Sequence, residues 1–333
     1  MNLLSSVLSV CIITFNRAEF LKQCLESFLP NASKHGIPIF ISDNASTDGT
    51  SEMVEGMQLC HSNIFYHKNS ENIGPSKNVF KVLSCSNTNF CWLFSDDDVI
   101  QGDPFPSILT GLSQDAELIV VNAATYESDL AEVVEGRRLD IVENKEYSPG
   151  DHDRFLEETA FYTTFLGSLV LNRKSFMECS VRIPDDSYFP HFEGCLHYIV
   201  NRKILLVAEP FIKIRLGNSL WSENRFEVLM LQWPLSVWRL DEAYRDTAKQ
   251  KVVPRNRILS PHHMLAARAM NIYGLKTYTQ HIKNHLLGTP LLKQILFLIA
   301  IFPANVAKLL FRIYLRVRKP RGYKVFLREL NYQ

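Results

Sequence analysis

Between residues 7 and 100, short apolar runs alternate four times with stretches of helical period, and that rhythm leaves few folds open. "SVLSVCIITFNR" is a Val/Ile-rich run closing on a polar turn, as a strand buried on both faces does. "AEFLKQCLESFL" follows, with Phe20, Leu21, Cys24, Leu25, Phe28 and Leu29 on one helical stripe, and Pro30 is expected to end it. The spacing then predicts a strand from Ile37 to Ser42, a weak helix in "SEMVEGMQLC" and a third strand in "NIFYHKN". A helix in "NIGPSKNVFKVLSCS" and a fourth strand in "FCWLFSDDD" complete the series. Alternation at this range predicts an α/β domain whose central sheet is mostly parallel and flanked by helices.

In such sheets ligands bind beyond the carboxyl ends of the strands. Three polar loops fall at those ends: Thr14-Phe15-Asn16-Arg17, Asp43-Asn44-Ala45-Ser46 and Ser95-Asp96-Asp97-Asp98. They predict one cleft on one rim. Further strands are expected at 116–127 and 164–176, the second interrupted by Gly167-Ser168, with a charged surface excursion at 128–150. Beyond about Arg215 the pattern changes to aromatic-rich helices, of which "RFEVLMLQWPLSVWRLDEAY" is the clearest. These shifts predict a domain over 1–225, a helical extension over 226–285 and a separate tail over 286–333.

The bulk properties exclude some classes. A hydrophobic fraction of 46% with 21% charged residues is that of a globular chain, not a disordered one. The seven cysteines are scattered without a CxxC pair, which points to reduced thiols in a cytoplasmic setting and away from a disulfide scaffold or zinc site. "MNLLSSVLSVCIITFNR" lacks a basic start and a small-residue cleavage site, so it reads as a first strand and not as a signal peptide.

Three adjacent carboxylates, Asp96, Asp97 and Asp98, at the mouth of a buried strand repel one another unless water or a cation intervenes. Capping a helix that opens near Pro104 is the plain alternative. In a cleft, Asp96 and Asp98 are spaced to share one hard cation, Mn²⁺ or Mg²⁺, which keeps waters and takes diphosphate oxygens. Asp43 stands directly after a strand, where a ribose or base would lie against the rim, with an Asx-turn as its plain alternative.

Four segments in this order, "SVCIITFNRAEFLKQCLESFL", "IFISDNASTDGT", "ENIGPSKNVFKVL" and "WLFSDDDVI", resemble the family 2 glycosyltransferases of GT-A (Rossmann-like) fold. The "FSDDD" form looks most like bacterial O-antigen, abequosyltransferase-like members. The resemblance implies nucleotide contacts from Thr14 and Asn16, base contacts from Asp43, and ribose or phosphate contacts from Asn72, Gly74 and Lys77. It places the DXD motif on Asp96-Asp97-Asp98, with Asp96 and Asp98 as metal ligands beside the nucleotide sugar. It also implies inverting transfer, with a carboxylate taking the acceptor's proton. Many members carry that base in a Glu-Asp pair, which this chain lacks; Glu193 and His191, opening an apolar helix after Pro190, are the nearest counterparts, with Asp186 behind them. First-turn capping is the plain reading of both.

The tail, "LLGTPLLKQILFLIAIFPANVAKLLFRIYLRVRKPR", is very apolar and then basic, with eight Lys or Arg residues from Lys308 to Arg328. Pro303 and the flanking charges leave no run of about 20 apolar residues, so interfacial amphipathic segments drawn to anionic lipid are expected and a spanning helix is not. A buried helical hairpin is the alternative. A membrane location at the inner face of the plasma membrane suits a lipid-linked glycan acceptor, and so apolar a tail argues against nucleic acid. Two rivals to the enzyme reading are a nucleotide- or glycan-binding module that has lost catalysis and a nucleotidyltransferase. The second usually has a glycine-rich loop after its first strand, and "TFNRAEF" has none.

Overall fold

The computed structural model describes residues 7–218, 224–254, 260–283, 289–320 and 322–332. The first half follows the expected rhythm: β1 (Leu8–Thr14), α1 (Ala18–His35), β2 (Ile39–Asp43), α2 (Thr50–Gln58), β3 (Ile64–Lys68), α3 (Pro75–Cys85) and β4 (Phe90–Ser95). β1 pairs in parallel with β2 and with β4, in a register that sets Thr14 against Asp43 and Ile13 against Ser95. β3 adds in parallel outside β2. All three polar loops therefore leave the same rim.

The expectation that Pro30 ends α1 is corrected: the helix runs five residues further and stops at Gly36, whose left-handed backbone lets its N–H reach the Ala32 and Ser33 carbonyls. Proline removes one interior hydrogen bond, but the buried stripe continues from Leu29 to Ala32 and keeps the helix on the sheet. Below it, Phe28 meets Trp92 and Phe94 edge-on at 5.3 and 4.8 Å between ring centroids, geometry that adds to the gain from area burial.

The second half is mixed. After β5 (Val99–Ile100) and α4 (Phe105–Ser113) come β6 (Leu118–Tyr126), β7 (Val133–Glu135), β8 (Lys145–Tyr147), α5 (His152–Thr159) and β9 (Leu169–Asn172). α6 (Arg173–Cys179), α7 (Pro190–Tyr198) and β10 (Ile204–Arg215) follow. The main path through the sheet is β3-β2-β1-β4-β9-β6-β10-β5, with β7 on β6 and β8 on β10. β9 is antiparallel to both β4 and β6. The strand expected over 164–176 is therefore only four residues long; Leu166–Ser168 is a tight turn whose Gly167 carbonyl accepts the Trp92 indole N–H at 2.7 Å. The excursion at 128–150 contributes two short strands.

Beyond β10 the chain is helical. A π-helical turn (Glu227–Gln232) runs into α8 (Trp233–Trp238), followed by α9 (Asp246–Val252), α10 (Pro261–Ala269) and the single turn α11 (Leu275–Thr277). The long helix expected in "RFEVLMLQWPLSVW" is broken this way because Pro234 cannot donate to the Met230 carbonyl, and the wide turn sits just before it. Trp233 closes the join to α7 by packing edge-on against Phe189 and Phe192. The tail forms α12 (Pro290–Ile301), α13 (Ala304–Arg318) and α14 (Tyr323–Tyr332). Among the described residues no single helix is long and apolar enough to cross a membrane; α12 and α13 pass that test only as a pair bent by 97°.

Candidate active site

At the rim, β1 and β4 bring Thr14 beside Asp96, and the Thr14 hydroxyl donates to Asp96 Oδ2 at 2.8 Å. Asp96 and Asp98 are both buried, at 4% and 5% exposure. Loss of water, and then the neighbouring charge of Asp97, raise the Asp96 carboxyl to about 7 and push Asp98 well above the usual carboxylate range. The helix-cap alternative does not describe these residues: α4 is opened by Asp103, whose Oδ1 accepts the Phe105 N–H at 3.3 Å.

Two arginines answer the carboxylates. Arg17 donates to Asp97 Oδ2 at 2.8 Å and lies 3.5 Å from Asp96 Oδ1, while its other terminal nitrogen donates to the Asn218 carbonyl at 2.9 Å. Asn218 Nδ2 returns to Asp97 Oδ2 at 3.2 Å, and Ser95 Oγ donates to Asp97 Oδ1. Arg215 donates its backbone N–H to Asp98 Oδ1 at 3.1 Å and its Nε–H to the Asp97 carbonyl at 2.7 Å. It arrives there because β10 pairs with β5, Ile212 against Ile100 and Lys213 against Val99. Phe20 on α1 lies beneath both guanidinium groups, 5.6 Å from Arg17 and 5.2 Å from Arg215. Reasoning from sequence singled out neither arginine. Arg17 lay in a quoted loop, but nothing local marks Arg215, almost 120 residues from its carboxylates.

The neighbouring loop is cross-linked. Asp43 is fully buried; its Oδ1 accepts the Ser46 N–H at 2.9 Å, the Asx-turn foreseen, and its Oδ2 accepts the Tyr66 hydroxyl at 2.5 Å. Asn16, in a left-handed backbone conformation, donates its N–H to Ser46 Oγ and accepts the Thr47 N–H at 2.7 Å. Asp48 accepts the N–H groups of both Ala18 and Thr50, so one carboxylate caps α1 and α2 together. Asn72 Oδ1 accepts from Asn44 Nδ2 at 2.7 Å and from the Gly74 N–H at 2.9 Å, and Gly74 enters α3 with φ 82°, a conformation that favours glycine. Lys77 is exposed on the first turn of α3. The two asparagines and Gly74 are thus bonded together beside Asp43, while Lys77 stands exposed on α3.

Glu193 and His191 sit on α7, which packs on α3 and α8. Glu193 is buried; Oε1 accepts the hydroxyls of Ser187 (2.8 Å) and Ser236 (2.5 Å), while Oε2 is buried with no hydrogen-bond partner. Burial raises its carboxyl. His191 Nε2 donates to the Thr164 carbonyl at 2.8 Å, and burial lowers the imidazole to about 4. Asp185 and Asp186 are exposed. "IRLGNSLWSENRF" also offers Asn218 and Trp221 as side chains to touch sugar; Asn218 meets the carboxylates, whereas Trp221 lies outside the described residues. A cavity of about 440 Å³ lined by Thr88, Glu117, Asn172 and Arg173 lies at the opposite rim of the sheet, by the amino ends of β4 and β6, away from this chemistry.

Residues 9–179 match the family model described as glycosyl transferase family 2, just over half of the chain. The chain belongs to glycosyl transferase family 2. It is 37% identical over 130 residues to abequosyltransferase RfbV of Salmonella typhimurium, across 38% of this chain and 39% of that protein. It is 25% identical over 169 residues to the GalNAc(5)-diNAcBac-PP-undecaprenol beta-1,3-glucosyltransferase of Campylobacter jejuni, across 50% of this chain and 54% of that one. The matched part therefore spans between about two-fifths and just over half of these relatives. The fold is shared more widely. S. aureus TarS 1–349 in complex with UDP superposes with TM-score 0.61 at 16% identity, covering 82% of this chain and 77% of TarS. The mannosyltransferase PcManGT of Pyrobaculum calidifontis, with GDP-Man and Mn²⁺, does so with TM-score 0.56 at 12% identity, covering 98% of this chain and 84% of its own. The fold is GT-A.

Proposed function

We propose that the protein is a metal-dependent inverting glycosyltransferase that moves a sugar from a nucleoside-diphosphate donor to a lipid-linked glycan in bacterial surface polysaccharide assembly, O-antigen or capsule. The observation that carries this is the pair of buried carboxylates, Asp96 and Asp98, on the rim that also holds Asp43. Among the described residues no group of three or more His, Cys, Asp or Glu side chains could enclose an ion. A two-carboxylate site instead fits Mn²⁺ or Mg²⁺, which complete their shells with water and diphosphate oxygens. The relatives' names supply the rest: one transfers abequose, and the other is named for an undecaprenol-linked glycan.

On this reading Thr14, Asn16 and Asp43 hold the nucleoside, Asn72 and Gly74 shape the wall beside the ribose and phosphates, and Lys77 reaches the phosphates from the edge of α3. Asp96, Asp97 and Asp98 face the diphosphate, and Asp96 and Asp98 would be the protein ligands of the ion. Bound there, the ion would offset the negative charge that grows on the leaving diphosphate. Arg17 and Arg215 orient the three carboxylates and offset part of their mutual repulsion. The acceptor oxygen forms a bond to the anomeric carbon as the bond from that carbon to the phosphate oxygen breaks, and the acceptor's proton passes to the protein. Glu193 Oε2 is the better receiver, because it is unpartnered and burial raises its carboxyl above the usual carboxylate range, which makes it the stronger base. His191, a weak base with Nε2 committed to Thr164, steadies the helix. Residues 1–225 would form the transferase unit, 226–285 its helical buttress and 286–333 the contact with the cytoplasmic face of the plasma membrane.

Asp98→Ala tests the reading. It is expected to abolish Mn²⁺-dependent transfer, measured as release of nucleoside diphosphate from a panel of donors with lipid-linked acceptors, while the melting transition stays cooperative. Transfer at the wild-type rate by that variant would refute the assignment. Donor binding without turnover by the unaltered chain would return it to a binding module.

A further inference from the structure

The bent pair α12–α13 is amphipathic the wrong way round for a solvent-facing element. Its inner face is already satisfied: Leu296 and Ala300 pack with Phe226, Met264 and Tyr273, and Leu315 packs with Met270 and Leu330. The bend is fastened to the body, since Arg268 Nε on α10 donates to the Phe302 carbonyl at 2.8 Å. The outer face is where most of the apolar side chains go. On α13, Val306, Leu309, Leu310, Ile313 and Val317 recur three or four residues apart and share one face, with Leu309 57% and Val317 73% exposed. On α12, Leu291, Ile295 and Leu298 do the same, Leu298 at 60%. So continuous an exposed stripe marks a surface with a partner.

The partner's chemistry follows from charge and length. Residues 290–319 contain no Asp or Glu and six Lys or Arg. A second copy of this face would therefore meet it with like charge, whereas anionic lipid headgroups would not. Helices of 12 and 15 residues reach about 18 and 22 Å, short of the roughly 30 Å hydrocarbon core, and the 97° bend prevents them from adding end to end. Some of the tail's charge is also committed elsewhere. Arg328 pairs with Glu127 and Glu132, and Arg312 donates to Leu330 O and Asn331.

From this we infer that α12 and α13 form an L-shaped wedge seated in one leaflet, held chiefly by insertion of its outward Leu/Ile/Val stripe, with Arg316, Arg318 and Lys319 as an electrostatic supplement. It rests on the proposed membrane setting of the acceptor only for its purpose, since vesicle binding can be read without any transfer assay.

The test is co-sedimentation of the full chain with vesicles of phosphatidylcholine alone, or with 30% phosphatidylglycerol, at about 0.1 and 1 M NaCl. Apolar insertion predicts binding to both, retained at high salt. Leu309→Gln, Leu310→Gln and Ile313→Gln together should cut binding at least tenfold under every condition; the replaced side chains are exposed, and circular dichroism checks the fold. Arg316→Gln, Arg318→Gln and Lys319→Gln together should remove only the gain due to phosphatidylglycerol. Complete release of the unaltered chain by 1 M NaCl would overturn the inference, as would undiminished binding by the apolar triple variant. A lipid-free dimer dissolved by that triple, with vesicle binding unchanged, would assign the face to a second copy and overturn it too. The Asp98→Ala chain should bind vesicles normally, which separates failure of this inference from failure of the catalytic one.

Discussion

His191 makes the most direct prediction about stability. In the folded chain its imidazole is held neutral, with its pKa lowered from 6.5 to about 4, so the unfolded chain takes up a proton that the native site refuses. The native state binds fewer protons in that window, and stability must fall as pH falls. The contribution is fully present above pH 6.5, is lost progressively below it, and levels off beneath pH 4. A difference of two and a half units is about 3 kcal/mol at the acid limit, and about 2 kcal/mol of it is gone by pH 5. Glu193, raised by burial, works in the opposite sense, since protonation favours its native form. The quantity to measure is therefore the difference between the unaltered chain and His191→Gln, which keeps a donor for the Thr164 carbonyl. Urea unfolding at pH 7 and pH 5 should show the unaltered chain losing about 2 kcal/mol more than the variant. Equal losses would refute the argument that His191 is buried neutral, and with it the case for Glu193 as the stronger base.

Other outcomes follow from the same geometry. Glu193→Gln should lower kcat by about 10²–10⁴-fold with little change in donor KM, read by initial rates; a KM effect alone would make Glu193 a binding residue. Arg17→Met frees Asp96 and Asp97 of their cation and should tighten binding of Mn²⁺ alone, followed by electron paramagnetic resonance, while weakening nucleoside-diphosphate binding measured by calorimetry. Loss of both would mean that Arg17 merely supports the fold. Gly194→Ala places a Cβ 2.4 Å from Phe176 Cε2 and 3.0 Å from Ile183 Cδ1; overpacking of this kind should cost about 1–3 kcal/mol in thermal unfolding, and an unchanged melting temperature would show that Phe176 moves freely.

What could be read in advance was local. Period and turn chemistry located β1 to β4 and put Asp43 and Asp96 to Asp98 at strand ends, because a strand buried on both faces announces itself by an unbroken apolar run. β10 escaped because "ILLVAEPFIKIR" is interrupted: Glu209-Pro210 breaks the run, and the structure accommodates it with register shifts on either side of Pro210. Arg215 was lost with it. The serines that grip Glu193 come from a loop and from a helix more than 40 residues later, and no periodicity encodes such a meeting. In the tail, composition disclosed an amphipathic character but not which side faces in. That depends on α10 and α14 covering the Ala307 and Leu315 side.

The stitching between the loops after β1 and β2 bears on how such an enzyme could change its donor. Four hydrogen bonds tie Thr14, Asn16 and Ala18 to Asn44, Ser46, Thr47 and Asp48, so these two loops, the nucleoside end on the proposed reading, move as one piece and resist piecemeal alteration. Among the described residues, the loop that carries Asp96 to Asp98 is held by side chains from outside it, Arg17, Arg215 and Asn218. On the proposed reading that loop faces the sugar, so variation that retargets the sugar while keeping the nucleotide is expected among those three side chains and not in the tied pair of loops.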